Sequence, residues 1–102
     1  MQDEDIVTGL VLEGRCFTLE ELCAACGLEP DWVVRHIEEG LFPAPEGARS
    51  EWRFTVVGLT RARRMHAFER DFEAVPELAA LVADLLEEMD ALRARLRLAG
   101  LE

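Results

Sequence analysis

Residues 18–40 read TLEELCAACGLEPDWVVRHIEEG, and the order of polar, apolar and breaking residues in this stretch decides the fold. Thr18 precedes Leu19 with Glu21 three positions on, the spacing at which a hydroxyl and a carboxylate take up free backbone N–H groups at a helix start. Leu19, Leu22, Cys23 and Cys26 then recur at i, i+3, i+4 and i+7 on one face, and Gly27 stands where the helix should stop. This predicts a first helix over 19–26. Pro30 suits an opening helical turn, where its missing N–H has no partner to lose. Val33, Val34, Ile37 and Leu41 mark an apolar stripe and Gly40 closes it, which predicts a second helix over about 30–39. Two short helices joined by a Gly-containing turn are the sequence form of a helix-turn-helix.

Toward the C-terminus the character changes. Leu41 to Phe54 contains Pro43, Pro45 and Gly47 between apolar ends, then alternation at Trp52 and Phe54, and a β-hairpin wing is the expectation. Thr55 caps a predicted third helix over about 56–71, amphipathic through Val57, Leu59, Ala62, Met65 and Phe68, with Gly58 a local weakness. Pro76 restarts the chain. Leu78, Val82, Leu85, Met89, Leu92 and Leu96 then alternate by four and three, a heptad seam on a long terminal helix that predicts dimerisation. Toward the N-terminus, Ile6 to Glu13 is a short apolar run predicted as an edge strand.

One domain, 1–102, accounts for the whole chain: a winged helix-turn-helix over 17–72 and a dimerisation helix over 76–99. With 102 residues and half of them apolar, the chain can close a core, though at this size a second copy would add useful apolar contact. The net charge is −10, and residues 1–51 carry 12 acids against 3 arginines. Such a front half repels phosphate backbones on average. All 11 basic residues are arginine, which excludes lysine Schiff-base chemistry and the phosphate-binding loop that needs a lysine. No apolar run is long enough to span a membrane, the N-terminus is acidic, and three cysteines do not make a disulfide framework, so a cytoplasmic location with reduced thiols is expected.

The ordered set Phe17-Thr18-Leu19-Glu20-Glu21-Leu22-Cys23, Gly40-Leu41-Phe42-Pro43, Trp52-Arg53-Phe54 and Asp84 to Leu96 resembles the chaperone-modulatory protein CbpM family, relatives of the MerR helix-turn-helix regulators. The likeness covers about residues 16–98. It implies a mainly α fold, a MerR-like winged helix-turn-helix with a short β-hairpin wing and a long C-terminal helix. It also implies a modulator that binds the J-domain of a DnaJ-like co-chaperone of the CbpA type and inhibits both its co-chaperone activity with DnaK and its DNA binding. The chain departs from the family pattern at Leu78, where many relatives carry a small residue, and at Val75-Pro76, which replaces a more polar turn.

A DNA-reading second helix would aim donors at base edges, yet Glu29, Asp31, Glu38 and Glu39 stand there against Arg35. Arg53, Arg61, Arg63, Arg64 and Arg70 are the counter-case, a set able to grip phosphates if brought together. On a helical wheel Trp32 and His36 fall opposite Val33, Val34 and Ile37, beside Glu39. An aromatic ringed by carboxylates has the make-up of an interface hot spot, so Glu29, Asp31, Trp32, Arg35, His36 and Glu39 are the expected partner-binding set. Cys23-x-x-Cys26, with Cys16, His36 and His66 elsewhere, has a second reading as a metal or redox motif, but the two cysteines also fit a buried helix face and no second pair exists. Ser50 is the single serine and has no recognisable base, and the carboxylates fall on exposed helical positions. Neither an enzyme nor a cofactor is expected, and DNA is not the expected partner.

Overall fold

The computed structural model describes residues 16–100, so the strand expected over 6–13 lies outside the described residues. Four α-helices follow in order: α1 (Leu19–Cys26), α2 (Pro30–Glu38), α3 (Val56–Phe72) and α4 (Pro76–Leu98). Each predicted helix lies within a residue or so of its expected span.

The local reasons hold in detail. The Thr18 hydroxyl accepts from the Glu21 N–H at 3.1 Å while Glu21 Oε1 accepts from the Thr18 N–H at 2.9 Å, which closes the capping box. Gly27 leaves α1 at φ 68°, a left-handed conformation that needs no Cβ, and the chain turns so that Leu28 N–H reaches the Cys23 carbonyl at 2.9 Å. The Thr55 hydroxyl caps α3 by accepting from Gly58 N–H at 3.3 Å. Pro30 and Pro76 open α2 and α4 in their first turns.

The expected β-hairpin is replaced by something smaller. Among the described residues the only β pairing is the antiparallel bridge of Phe17 with Phe54, made by two hydrogen bonds of 2.7 Å. Residues 41–54 form an irregular loop with one 3-10 turn at Arg49–Glu51. Of the alternating pair Trp52 and Phe54, only Phe54 takes part in β pairing, and its partner is Phe17, in the segment before α1, rather than a residue of the loop. Gly47, at φ 88°, shapes the loop: a Cβ there would come within 2.5 Å of the Glu51 carboxylate, which caps Ala48 N–H at 3.1 Å.

The core gathers Phe17, Leu22, Val33, Phe42, Phe54, Leu59 and Met65 between α1, α2 and α3. α4 joins it by its small residues. Ala79, Ala80 and Ala83 are buried against α3, where short side chains let the two helix backbones approach closely, while Leu78, Leu81, Leu85, Met89, Leu92 and Leu96 are exposed. At 100° per residue the alanine stripe and the leucine stripe sit on nearly opposite sides of α4. Ion pairs seal the α3–α4 contact: Arg61 Nη1 lies 2.8 Å from Asp84 and 3.1 Å from Glu87, and Arg64 Nη2 lies 2.9 Å from Asp90. No helix among the described residues is long and apolar enough to cross a membrane.

Candidate protein-partner interface

The helix-turn-helix presents an acidic outer surface. Glu20 and Glu21 on α1, then Glu29, Asp31, Arg35, Glu38 and Glu39 along α2, are all exposed. The acids in the first turns of α1 and α2 complement the partial positive charge of each helix N-terminus, so their placement also serves the helices.

Trp32 and His36 do not join this surface. Trp32 is 9% exposed and His36 1%, and both turn toward α3, so the expectation that they face outward is corrected. Their rings stack with centroids 3.7 Å apart, as residues four apart on a helix can. Glu69 of α3 receives both. The Trp32 indole N–H donates to Glu69 Oε1 at 3.0 Å, and His36 Nε2 lies 2.7 Å from Glu69 Oε2. His36 Nδ1 lies 2.7 Å from the Trp32 carbonyl oxygen, and His66 meets the Trp32 ring edge-on at 5.9 Å. The physical reason is a long-range one. A wheel ranks side chains by hydropathy, whereas here two polar-edged rings enter the interior because a carboxylate from another helix satisfies their N–H groups. Val33 is fully buried as expected, and Val34 and Ile37 are half-buried, so α2 buries a wider arc than its aliphatic stripe alone.

The arginines considered for phosphate are mostly occupied. Arg61 is buried and donates through Nε and Nη2 to the Leu41 carbonyl as well as through Nη1 to Asp84 and Glu87. Arg64 pairs with Asp90, and Arg70 pairs with Asp71 on the surface. Arg53 is exposed and folds back on the Trp52 carbonyl at 2.7 Å. Arg63 is half-buried and lies beside Cys26. Sequence reasoning missed Arg61 as the clamp of α3, α4 and the loop at Leu41, and its signal was weak: an arginine beside Met65 at the edge of the apolar arc formed by Leu59, Ala62 and Met65.

The thiols are equally settled. Cys23 is buried in the core and Cys26 half-buried, its Sγ 3.6 Å from the Leu59 carbonyl oxygen. Burial pushes both thiols above the ordinary range, with the neighbouring Arg63 drawing Cys26 partly back. That is the setting of inert packing thiols rather than of reactive ones. Among the described residues no group of three or more His, Cys, Asp or Glu side chains is placed to hold a metal. A cleft of about 550 Å³ opens beside the loop at Pro43 and Pro45, with Phe54 and Val57 on its wall, but its carboxylates, Asp84 and Glu87, are the ones bound to Arg61.

The second surface is the exposed row Leu78, Leu85, Met89, Leu92 and Leu96 on α4, with Val82 half-buried among them. Large apolar side chains at heptad spacing thus stand in water along most of α4.

Comparison with known proteins agrees with this architecture. The family model of the MerR HTH family regulatory protein matches residues 17–99. The chain is 28% identical over 95 residues to the chaperone modulatory protein CbpM of Coxiella burnetii (strain Dugway 5J108-111), covering 92% of this chain and 90% of that protein. It is 32% identical over 78 residues to the chaperone modulatory protein CbpM of Pseudomonas entomophila (strain L48), covering 74% of each. No solved structure matches the chain. The helix order, the extent of the family match and the two relatives together make this chain a member of the CbpM family within the MerR-type helix-turn-helix proteins.

Proposed function

We propose that this chain is a chaperone modulator that binds the J-domain of a DnaJ-like co-chaperone of the CbpA type and inhibits its co-chaperone activity with DnaK and its DNA binding. The observation that carries the reading is the acidic outer edge of α2, where Glu29, Asp31, Glu38 and Glu39 are exposed around Arg35 in a chain with no lysine. Such a surface attracts a basic protein face and repels a phosphate backbone. Glu29, Asp31, Arg35 and Glu39 supply direct contacts. Trp32 and His36, from beneath, set the angle at which α2 offers them. Inhibition by occlusion needs no bond-making chemistry, in keeping with carboxylates that among the described residues are solvated or paired.

A second copy covers the α4 row in this proposal, with Leu78, Val82, Leu85, Met89, Leu92 and Leu96 as the dimer contact of the 76–99 helix and residues 17–72 as the partner-binding part. Large apolar side chains at heptad spacing, with the small ones already used internally, support it. The test of the partner reading is titration of purified J-domain into the folded protein at low and high salt.

The family match to helix-turn-helix regulators favours one alternative, a DNA-binding transcriptional regulator. That reading requires a salt-dependent DNA affinity. The acidic edge of α2 and the engagement of Arg61, Arg64 and Arg70 with carboxylates weigh against it.

A further inference from the structure

The seven aromatic side chains of this chain all lie among the described residues, and Phe72 alone is exposed, at 70%, the others being buried or half-buried. Its ring packs on that of Phe68 with centroids 4.9 Å apart, and Phe68 packs against the core, so Phe72 is held as a platform at the end of α3. Val75, 59% exposed, follows it at the entry to α4. Neither residue belongs to the core, and both precede the heptad row that begins at Leu78.

The elbow between α3 and α4 is also acidic. Asp71, Glu73 and Glu77, all exposed, interleave with the two apolar residues along the chain, while Arg70 is bonded to Asp71 at 2.8 Å. Among the described residues Glu73 is the one non-glycine with a positive φ, 53°, a left-handed helix exit that glycine makes without a Cβ clash. The chain places a carboxylate there instead, next to Phe72, and backbone strain of this kind concentrates at sites of contact with a ligand or partner. The elbow adjoins the acidic edge of α2 as well. Glu69, three residues before Phe72, accepts from the Trp32 indole N–H at 3.0 Å, which brings the start of α2, with Glu29 and Asp31, to this end of α3.

We propose that Phe72 and Val75 are the apolar anchor of the partner-binding surface and receive the apolar side of a basic amphipathic helix, whose cationic side chains meet Glu73, Glu77 and the acidic start of α2. An exposed aromatic flanked by carboxylates is the arrangement that Trp32, being buried, does not supply. A rigid aromatic gives such a contact its affinity, and the acids around it select a segment of opposite charge. The proposal rests on the J-domain reading and deepens it, naming where the apolar part of that contact lies and what kind of segment fills it.

Two variants of the whole chain test it. Phe72→Ser removes the anchor from a position where little is buried, and Glu73→Gly removes the carboxylate while giving the backbone the residue it favours. When purified J-domain of the CbpA type is titrated into each, Phe72→Ser should bind about tenfold more weakly than wild type, with its sedimentation mass unchanged. Glu73→Gly should bind about threefold more weakly and yet unfold at a higher urea concentration, opposite changes that a merely structural role does not produce. Should Phe72→Ser not fold, Val75→Ser takes its place. Wild-type affinity in the Phe72 or Val75 variant would overturn the anchor, and wild-type affinity in Glu73→Gly would overturn a basic helix as its occupant. A changed sedimentation mass with J-domain affinity intact would assign the patch to a second copy and overturn the proposal. No binding by the wild type would overturn the J-domain reading and the site with it, whereas binding by the wild type with no loss in either variant would overturn this site alone.

Discussion

His36 on α2 and Glu69 on α3 are joined by a 2.7 Å contact between Nε2 and Oε2, buried on the histidine side and narrowly open on the glutamate side. Together with the Trp32 indole N–H on the other Glu69 oxygen, this contact fixes the second helix of the helix-turn-helix against the third. The helix that would read DNA in a DNA-binding relative is here anchored by polar bonds on its inner side and left acidic on its outer one.

Trp32 is thus a structural residue before it is anything else. Trp32→Phe keeps most of the stacking on His36 and removes one hydrogen bond to a partly solvated carboxylate, which should cost about 1 kcal/mol. Trp32→Ala should cost about 3 kcal/mol through the cavity it leaves. Chemical denaturation measures both. A Trp32→Ala protein as stable as the wild type would mean that the ring lies outside, as the helical wheel suggested.

Arg61 holds three elements through one guanidinium: the Leu41 carbonyl at the end of the helix-turn-helix, and Asp84 and Glu87 on α4. Its acids are partly solvated and remain comfortable without it, but the Leu41 carbonyl loses two donors. Arg61→Ala should therefore destabilise by about 2 kcal/mol. Arg70→Ala, which removes only a surface pair with Asp71, should leave the midpoint of the same unfolding assay unchanged.

On α4, Leu85 and Met89 are 56% and 44% exposed, so a charge at either position should leave the single-chain fold within about 0.5 kcal/mol of wild type. Leu85→Glu or Met89→Glu should nonetheless halve the mass seen by sedimentation equilibrium, because each places a carboxylate in the proposed dimer contact. A wild-type protein already at single-chain mass over the micromolar range would remove the dimer.

The thiols give the fold a pH dependence at the alkaline end. Burial raises Cys23 and Cys26, so the folded state holds their protons more tightly than the unfolded state does. Their contribution is fully present below the free thiol value of about 8.5 and is lost as the pH rises through the folded values. Stability should fall above about pH 9. The double variant Cys23→Ala, Cys26→Ala should lose that alkaline slope in thermal unfolding followed from pH 8 to pH 10.

The parts of this fold legible in the sequence are the ones decided within a few residues. The Thr18–Glu21 capping box, the Gly27 exit, the Pro30 and Pro76 starts and the Thr55 cap each depend on neighbours, and all four helices follow from them. Contacts across the domain were less visible. The alternation at Trp52 and Phe54 shows an extended segment but cannot show that its partner is Phe17. Trp32 and His36 are drawn inward by Glu69, more than thirty positions away, and a wheel of α2 contains no trace of it. For α4, periodicity marked the leucine stripe as apolar, and only the packing shows that the alanines, not the leucines, meet α3. Of the six residues expected at the partner surface, Glu29, Asp31, Arg35 and Glu39 are exposed, and the two rings are not.

The measurement that bears most directly on the chaperone-modulator account is a calorimetric titration of the folded protein with a purified J-domain of the CbpA type, repeated at low and high salt. Saturable binding that weakens as salt rises, and weakens further in a Glu38→Lys, Glu39→Lys variant that remains folded, is the predicted result. No heat of binding at either salt, with the helical fold verified in the same sample, would contradict it.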